Sequence, residues 1–182
     1  MGGAIAQLVA LDHPGRVLSL TLIATGPAAP GADDPDLPSM AAETRAEFML
    51  GEPDWSDRAA VIDHLVHLGR VSAARSRAFE EAAFRDIAGR VFDRTANIAS
   101  SMKNHNTMDG GQRWRERLGE LTVPTLVVHG TEDPVLPYGH SQALVRDIPG
   151  AELLALEQTG HELPREVWDV VVPAILRHTS RG

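Results

Sequence analysis

Residues 126–137 read LVVHGTEDPVLP, the pattern of a buried strand that ends in a glycine turn. A short, nearly continuous apolar run is typical of a strand covered on both faces of a parallel sheet. The turn presents two neighbouring carboxylates, Glu132 and Asp133, before Pro134 bends the chain away. Because ligands of parallel sheets bind beyond the carboxyl ends of the strands, we expect Asp133 to lie at a functional edge. The alternative is that Asp133 only caps the helix that follows.

A histidine follows the next predicted strand along the chain. Residues 151–156 are predicted as a strand, and the loop QTGH at 158–161 comes soon after them. Loops that follow consecutive parallel strands meet at one sheet edge, so we expect His161 to lie within hydrogen-bonding reach of Asp133. The side chain of Glu132 should point elsewhere. A carboxylate that holds an imidazole in one tautomer is the orienting half of a Ser-His-Asp triad. The alternative is an ordinary histidine in a surface loop.

The elements on either side extend this alternation of strands and helices. Apolar residues at helical spacing predict a first helix that stops at residues 13–15, and VLSLTLIA at 17–24 predicts another buried strand. Helices are predicted over residues 139–148 and 166–178. This order implies parallel pairing with right-handed crossovers. We therefore predict an α/β fold, a partial and mostly parallel sheet of three strands with flanking helices and a helical cap insertion.

The middle of the chain has no predicted strand. Residues 26–38 contain four prolines, which predicts a loop. The apolar periodicity after them is helical, in runs at 40–50, 57–68 and 73–92.

This contrast divides the chain into two parts. We assign residues 1–26 and 120–182 to the core that holds the sheet and residues 27–119 to a linker and helical cap. Large apolar side chains of the cap are either pocket walls above the sheet edge or simply core contacts of the cap helices. The candidates are Trp55, Phe79, Phe84, Phe92, Met102 and Met108.

Small residues open the chain as Met1-Gly2-Gly3-Ala4, directly before the first helix. Such residues let a helix approach the preceding strand closely. In the nucleophile elbow G-x-S-x-G, a serine stands at the turn from strand to helix. Met1 and Gly2 match the last two positions of that motif, so the nucleophile would be the residue before Met1. The order nucleophile, Asp133, His161 is then the one that the elbow motif requires.

Composition excludes several classes of function. A formal net charge of −8 disfavours binding to nucleic acid, and no apolar run approaches the roughly 20 residues of a membrane span. The absence of cysteine excludes disulfides, thiolate metal sites and a cysteine nucleophile. His64 and His67 are three residues apart and match no zinc motif, so we expect neither a metal nor another cofactor. Without cysteine or a secretory leader pattern, we expect a cytoplasmic protein.

The motifs MGGAIAQLVALDHPGRVLSLTLIAT, VPTLVVHGTEDPVLP and TGHELP together resemble the α/β-hydrolase superfamily, from just after the nucleophile to the C-terminus. Within it, the segments ALDHPGRVLSLTLI and IPGAELLALEQTGH are similar to aclacinomycin-methylesterase-like hydrolases of actinobacterial polyketide pathways. The resemblance implies Asp133 as the acid and His161 as the base. It implies the backbone N–H of Met1 as an oxyanion donor, and a small-molecule carboxylic ester, a methyl ester among the candidates, as substrate.

The chain departs from this family at its start. Members carry further strands and the nucleophilic serine before the position of Met1, so we expect this chain to be inactive alone. Two alternatives stay open: a relative with another nucleophile, such as a dehalogenase or an epoxide hydrolase, and a non-catalytic vestigial or binding fragment. We also expect self-association, because one edge of the strand at 17–24 would lack its neighbour.

Overall fold

The computed structural model describes residues 1–27, 34–104 and 110–180. Met108, a predicted pocket residue, lies outside these ranges. Within them, no helix is both long enough and apolar enough to cross a membrane.

Three parallel strands form the sheet, and they run in the spatial order β1 (Leu20–Ile23), β2 (Thr125–Gly130), β3 (Glu152–Leu156). Ile23 lies opposite Val128, and Gly130 lies opposite Leu156, so all three strands end at the same edge. All six residues of the central strand β2 are buried. The predicted fold class, a partial α/β-hydrolase sheet, is confirmed.

The first strand is shorter than predicted. The sequence predicts a strand over 17–24, whereas β1 begins at Leu20, whose N–H donates to the carbonyl of Pro124 at 2.8 Å. Residues 17–19 would have to pair with the segment that ends at Pro124. Proline has no N–H to donate to a sheet ladder, so the pairing begins only after it.

Helices cover both faces of the sheet. Val127 belongs to a buried cluster with Leu22 and Leu144, whereas its neighbour Val128 belongs to a second cluster with Val171. Successive side chains of a strand point to opposite faces, so β2 needs apolar residues at every position. The α-helices are α1 Gly2–Asp12, α2 Ala42–Phe48, α3 Arg58–Ser72, α4 Glu81–Arg94, α5 Ile98–Lys103, α6 Gly139–Asp147 and α7 Trp168–Thr179, and short 3-10 helices span Pro14–Arg16, Arg115–Glu120 and Arg165–Val167.

Between β1 and β2, the described residues contain helices α2 to α5 and no strand, as the periodicity predicts. The helix predicted over 73–92 is wrong in its first part, because α3 ends at Ser72 and α4 begins only at Glu81. The carbonyl of Ser72 instead accepts a hydrogen bond from the backbone N–H of His161 at 2.8 Å. Tertiary contacts have overridden local helical periodicity here. The division into core and cap stays a prediction.

An ion cluster joins the two ends of this middle region. The side chain of Arg115, only 10% exposed, lies 3.0 Å from Asp34, 2.7 Å from Asp36 and 3.1 Å from Asp147. Asp34 and Asp36 precede the helices of the middle region, Arg115 follows them, and Asp147 ends α6. Hydrogen bonds from Arg115 hold the pKa of Asp36 well below its ordinary value. We call Arg115 with these three aspartates the neck cluster.

Candidate active site

Asp133 lies in the loop after β2, and its side chain is fully buried. Its Oδ1 accepts hydrogen bonds from the backbone N–H groups of Val135 and Leu136, each at 2.8 Å. These bonds fix the turn in which Asp133 stands. The next helix, α6, begins only at Gly139 and has no side-chain cap, so the alternative that Asp133 caps this helix is wrong.

The predicted hydrogen bond between Asp133 and His161 is present. The second carboxylate oxygen, Oδ2, lies 2.7 Å from Nδ1 of His161, and the His161 side chain is 31% exposed. Glu132 points elsewhere, as predicted, and accepts hydrogen bonds from the backbone N–H and the hydroxyl of Ser76. With Nδ1 held by the carboxylate, Nε2 of His161 is the nitrogen that can exchange a proton with a reactant.

The pKa of Asp133 lies well below its ordinary value, although burial alone would raise it. Hydrogen bonds from His129 and His161 and the charge of His161 outweigh the burial and favour the ionised form. Asp133 is therefore an anion over the whole range in which an imidazole titrates. An anion at this position holds the neighbouring imidazole in one orientation and stabilises its protonated form.

Two glycines allow the loops of this site to meet. A Cβ at Gly130 would lie 2.2 Å from the carbonyl oxygen of Thr159, and one at Gly160 would lie 2.3 Å from the carbonyl oxygen of Ser72. Both clashes would be with backbone atoms, which cannot rotate away. The close approach of the loop carrying His161 to β2 and to the end of α3 therefore depends on glycine at these positions.

The sequence reasoning missed His129, the fifth residue of β2. It is buried, and its Nε2 lies 2.8 Å from the carbonyl oxygen of Leu136 and 3.3 Å from Oδ2 of Asp133. The usable signal was a polar side chain within an otherwise apolar strand, because a buried polar group needs a partner.

The start of α1 lies at the same sheet edge. A Cβ at Gly3 would lie 2.4 Å from the hydroxyl of Thr25, which follows β1. The first turn of α1 therefore approaches the chain just beyond the carboxyl end of β1. The predicted close approach to a preceding strand stays a prediction. Met1 stands at the N-cap position and is 63% exposed. Its predicted role as an oxyanion donor stays a prediction.

Two of the predicted pocket residues line a cavity next to the candidate site. The rings of Phe79 and Phe84 lie 5.4 Å apart, centroid to centroid, tilted at 46° to each other, and line a cavity of about 300 Å³. Glu162, the residue after His161, lines the same cavity and pairs with Arg77. Both phenylalanines also pack against the small core between α3 and α4, as the interpretation as core contacts predicts. Their role as walls of a substrate pocket stays a prediction.

The other described candidates do not line this cavity. Trp55 donates a hydrogen bond to Glu52 at 2.9 Å and packs edge-on against His64. Phe92 on α4 and Met102 on α5 are half-buried. In the described ranges, no three histidine, aspartate or glutamate side chains come together as metal ligands.

Comparison with known families identifies the fold. A family model described as the alpha/beta hydrolase fold matches residues 1–164. The chain belongs to the α/β-hydrolase fold family. The acid and the base of the candidate site lie inside the matched region, and the resemblance stated from the sequence motifs is confirmed.

Methylesterases are among the proteins similar to this α/β-hydrolase chain. A rhodomycin D methylesterase from a Streptomyces species is 25% identical over 98% of the chain and 64% of the relative. A pimeloyl-[acyl-carrier protein] methyl ester esterase from Aromatoleum aromaticum is 28% identical over 88% of the chain and 64% of the relative. The chain therefore spans just under two thirds of the length of these curated relatives. The first match agrees with the predicted likeness to aclacinomycin-methylesterase-like hydrolases.

Solved structures show the same fold. A meta-cleavage product hydrolase from Pseudomonas fluorescens superposes with a TM-score of 0.66 at 19% identity, covering 98% of the chain and 61% of that structure. A TM-score of this size at such low identity reflects shared architecture.

Proposed function

We propose that this chain supplies the acid and the base of a Ser-His-Asp hydrolase that cleaves carboxylic esters. The observation that carries the proposal is the 2.7 Å hydrogen bond between a fully buried carboxylate oxygen of Asp133 and Nδ1 of the partly exposed His161. A structural ion pair would not need one ring nitrogen left toward solvent. A base in acyl transfer does need it.

The reaction begins with proton transfer from a serine hydroxyl to Nε2 of His161. Asp133 holds the opposite ring nitrogen and stabilises the imidazolium that forms. The serine oxygen bonds to the ester carbonyl carbon, and backbone N–H groups, that of Met1 among them, hold the developing oxyanion. The imidazolium then gives its proton to the departing alkoxide, which leaves as the alcohol. A water molecule repeats the sequence on the acyl-serine and releases the acid.

The serine of this mechanism stands directly before Met1, outside residues 1–182. The elbow motif supports this placement, because Met1 and Gly2 occupy the positions that follow the nucleophile. The contact between Gly3 and Thr25 also supports it, since the start of α1 lies at the sheet edge that carries the acid and the base.

We infer that the substrate is a small apolar ester, with methyl esters as the first class to test. The names of the similar methylesterases support this class. The cavity lined by Phe79 and Phe84, beside the residue that follows His161, supports an apolar acyl or alcohol group. Because Phe79 and Phe84 belong to the predicted cap, the cap would cover the bound substrate.

The test extends the coding sequence in frame upstream of Met1, expresses the longer chain, and measures hydrolysis of p-nitrophenyl and methyl esters. We expect His161→Ala and Asp133→Asn each to lower kcat by about 10⁴-fold. His13→Ala, which removes an exposed histidine after α1, is the matched control and should keep full activity.

Four outcomes would contradict the proposal. Full activity in His161→Ala would remove the base from the mechanism. An aspartate before Met1, with turnover of haloalkanes or epoxides, would give the site to another reaction. A stop codon directly upstream would favour a non-catalytic protein. Turnover by residues 1–182 alone, abolished in His161→Ala, would place the nucleophile inside the chain.

A further inference from the structure

His129 is a second imidazole, fully buried, that contacts the carboxylate of Asp133. Its Nε2 lies 2.8 Å from the carbonyl oxygen of Leu136 and 3.3 Å from Oδ2 of Asp133, the same oxygen that accepts from His161. The side chains of His129 and Asp133 are both fully buried. Two imidazoles therefore share one oxygen of a single carboxylate, one on the exposed side and one on the buried side.

The surroundings of His129 determine which ring nitrogen carries its proton. Both oxygens near Nε2 can only accept a hydrogen bond, so Nε2 must carry a hydrogen. Nδ1 is buried and has no hydrogen-bond partner among the residues that the structure describes. A second proton there would leave a charged, buried donor unpaired, which is costly. His129 is therefore a neutral imidazole with its hydrogen on Nε2.

We propose that His129 is a positioning residue for the acid and base. It limits how strongly the carboxylate of Asp133 stabilises the protonated form of His161. The inference rests on the proposed function, since it assigns a role to a group that acts through Asp133. The Nε2–H of His129 holds the Leu136 carbonyl and draws negative charge on Oδ2 toward itself. The hydrogen bond from Oδ2 to His161 is then weaker than an unshared carboxylate would make it.

This sharing matters for a base, which must be unprotonated to begin the reaction. An unshared buried anion at 2.7 Å would favour the imidazolium form of His161 more strongly. Among the described residues, two titratable groups face His129 and Asp133. His140 on α6 interacts electrostatically with both, and the ring of Tyr138 meets that of His129 edge-on. His140 itself is kept neutral by burial, which lowers its pKa.

A purely structural role for His129 is the competing explanation, and the chain offers a matched control for it. His178 is also buried, and its Nε2 bonds to a backbone carbonyl, that of Leu20, at 3.1 Å. It lies on α7, and the carbonyl to which it bonds belongs to the first residue of β1. Removing either histidine deletes a buried ring and one hydrogen bond, but only His129 touches the carboxylate.

The test is a nitrogen-15 NMR titration of His161 in the 182-residue chain, which needs no catalytic turnover. In His129→Phe, we expect the titration midpoint of His161 to rise by about half to one pH unit. His129→Gln keeps a donor near Oδ2 and should titrate close to the unaltered chain. His178→Phe should leave the midpoint unchanged. An unchanged or lowered midpoint in folded His129→Phe would overturn the proposal.

Two further measurements keep the outcomes separate. Asp133→Asn removes the anion and should lower the His161 midpoint by about one unit or more. If Asp133→Asn has no effect, the proposed acid–base pair fails; if it has the expected effect and His129→Phe does not, only the role of His129 fails. Should His129→Phe not fold, the ring shifts of His129 in the unaltered chain decide, since a hydrogen on Nδ1 instead of Nε2 refutes the assignment.

Discussion

Replacing Gly160 by alanine should separate the loop that carries His161 from the end of α3. The added Cβ would lie 2.3 Å from the carbonyl oxygen of Ser72 and 2.6 Å from the backbone of Ala73 and Ala74. Ordinary contacts between heavy atoms are about 3.5–4.0 Å, so the loop or the helix end must shift by about 1 Å. The hydrogen bond from the His161 N–H to the Ser72 carbonyl would be lost in that shift.

The cost can be estimated from its two parts. Forcing an extra carbon into a packed site costs about 1–3 kcal/mol, and a lost hydrogen bond about 0.5–1.5 kcal/mol. Together they amount to about 1.5–4.5 kcal/mol of a total stability of about 5–15 kcal/mol. For a chain of this size, the melting temperature should fall by about 5–15 °C.

The assay is thermal unfolding followed by circular dichroism, with Gly119→Ala as the control. A Cβ at Gly119 would meet no atom within 4 Å, so that variant should melt within a few degrees of the unaltered chain. Equal melting temperatures for the Gly160 and Gly119 variants would show that the loop absorbs the extra carbon without strain. Glycine at position 160 would then not be required for the close approach of the two backbones.

Other expectations follow from the same structure. Because the folded pKa of Asp133 is depressed, its contribution to stability is present above the ordinary carboxyl pKa of about 4 and fades as pH falls below it. In acid unfolding, Asp133→Asn should therefore remove this dependence of the free energy of unfolding on pH. Arg115→Met leaves Asp34 and Asp147 without their shared cation and should lower the melting temperature by about 5 °C. In 1 M salt the ion pairs of the unaltered chain are screened, so the difference in melting temperature should be smaller. We also expect the chain to sediment above its monomer mass; Leu18→Lys, beside the edge of β1 and at a side chain 74% exposed, should reduce association, and a monomer in both proteins would refute this.

The site residues could be predicted because their placement depends on topology alone. Asp133 and His161 follow consecutive parallel strands, and the carboxyl ends of such strands meet at one edge. The apolar run around β2 likewise predicts burial on both faces, and both clusters are present. Local pattern and global fold agree at these positions, so sequence reasoning succeeds there.

The misses have a common physical origin in contacts between distant parts of the chain. Residues 73–80 have helical periodicity, but the backbone N–H of Ala74 donates to the side chain of Glu162, the residue after His161, instead. His129 stands in an apolar strand, and only the three-dimensional turn after β2 brings its ring to Asp133. The start of β1 depends on Pro124, a residue about a hundred positions away along the chain that cannot donate to the ladder.

The neck cluster determines how the middle region is tied to the rest of the molecule. Asp36 and Arg115 are 79 residues apart in sequence, yet their side chains are joined by two hydrogen bonds of 2.8 and 2.7 Å. The middle region between β1 and β2 therefore starts and ends at neighbouring points in space, at Asp36 and Arg115. The entropy of closing such an insertion grows only with the logarithm of its length, by about 0.6 kcal/mol for each doubling. Lengthening or shortening the segments between these two residues should thus cost the sheet little, provided that the end of α3, where the Ser72 carbonyl accepts from the His161 N–H, is kept in place.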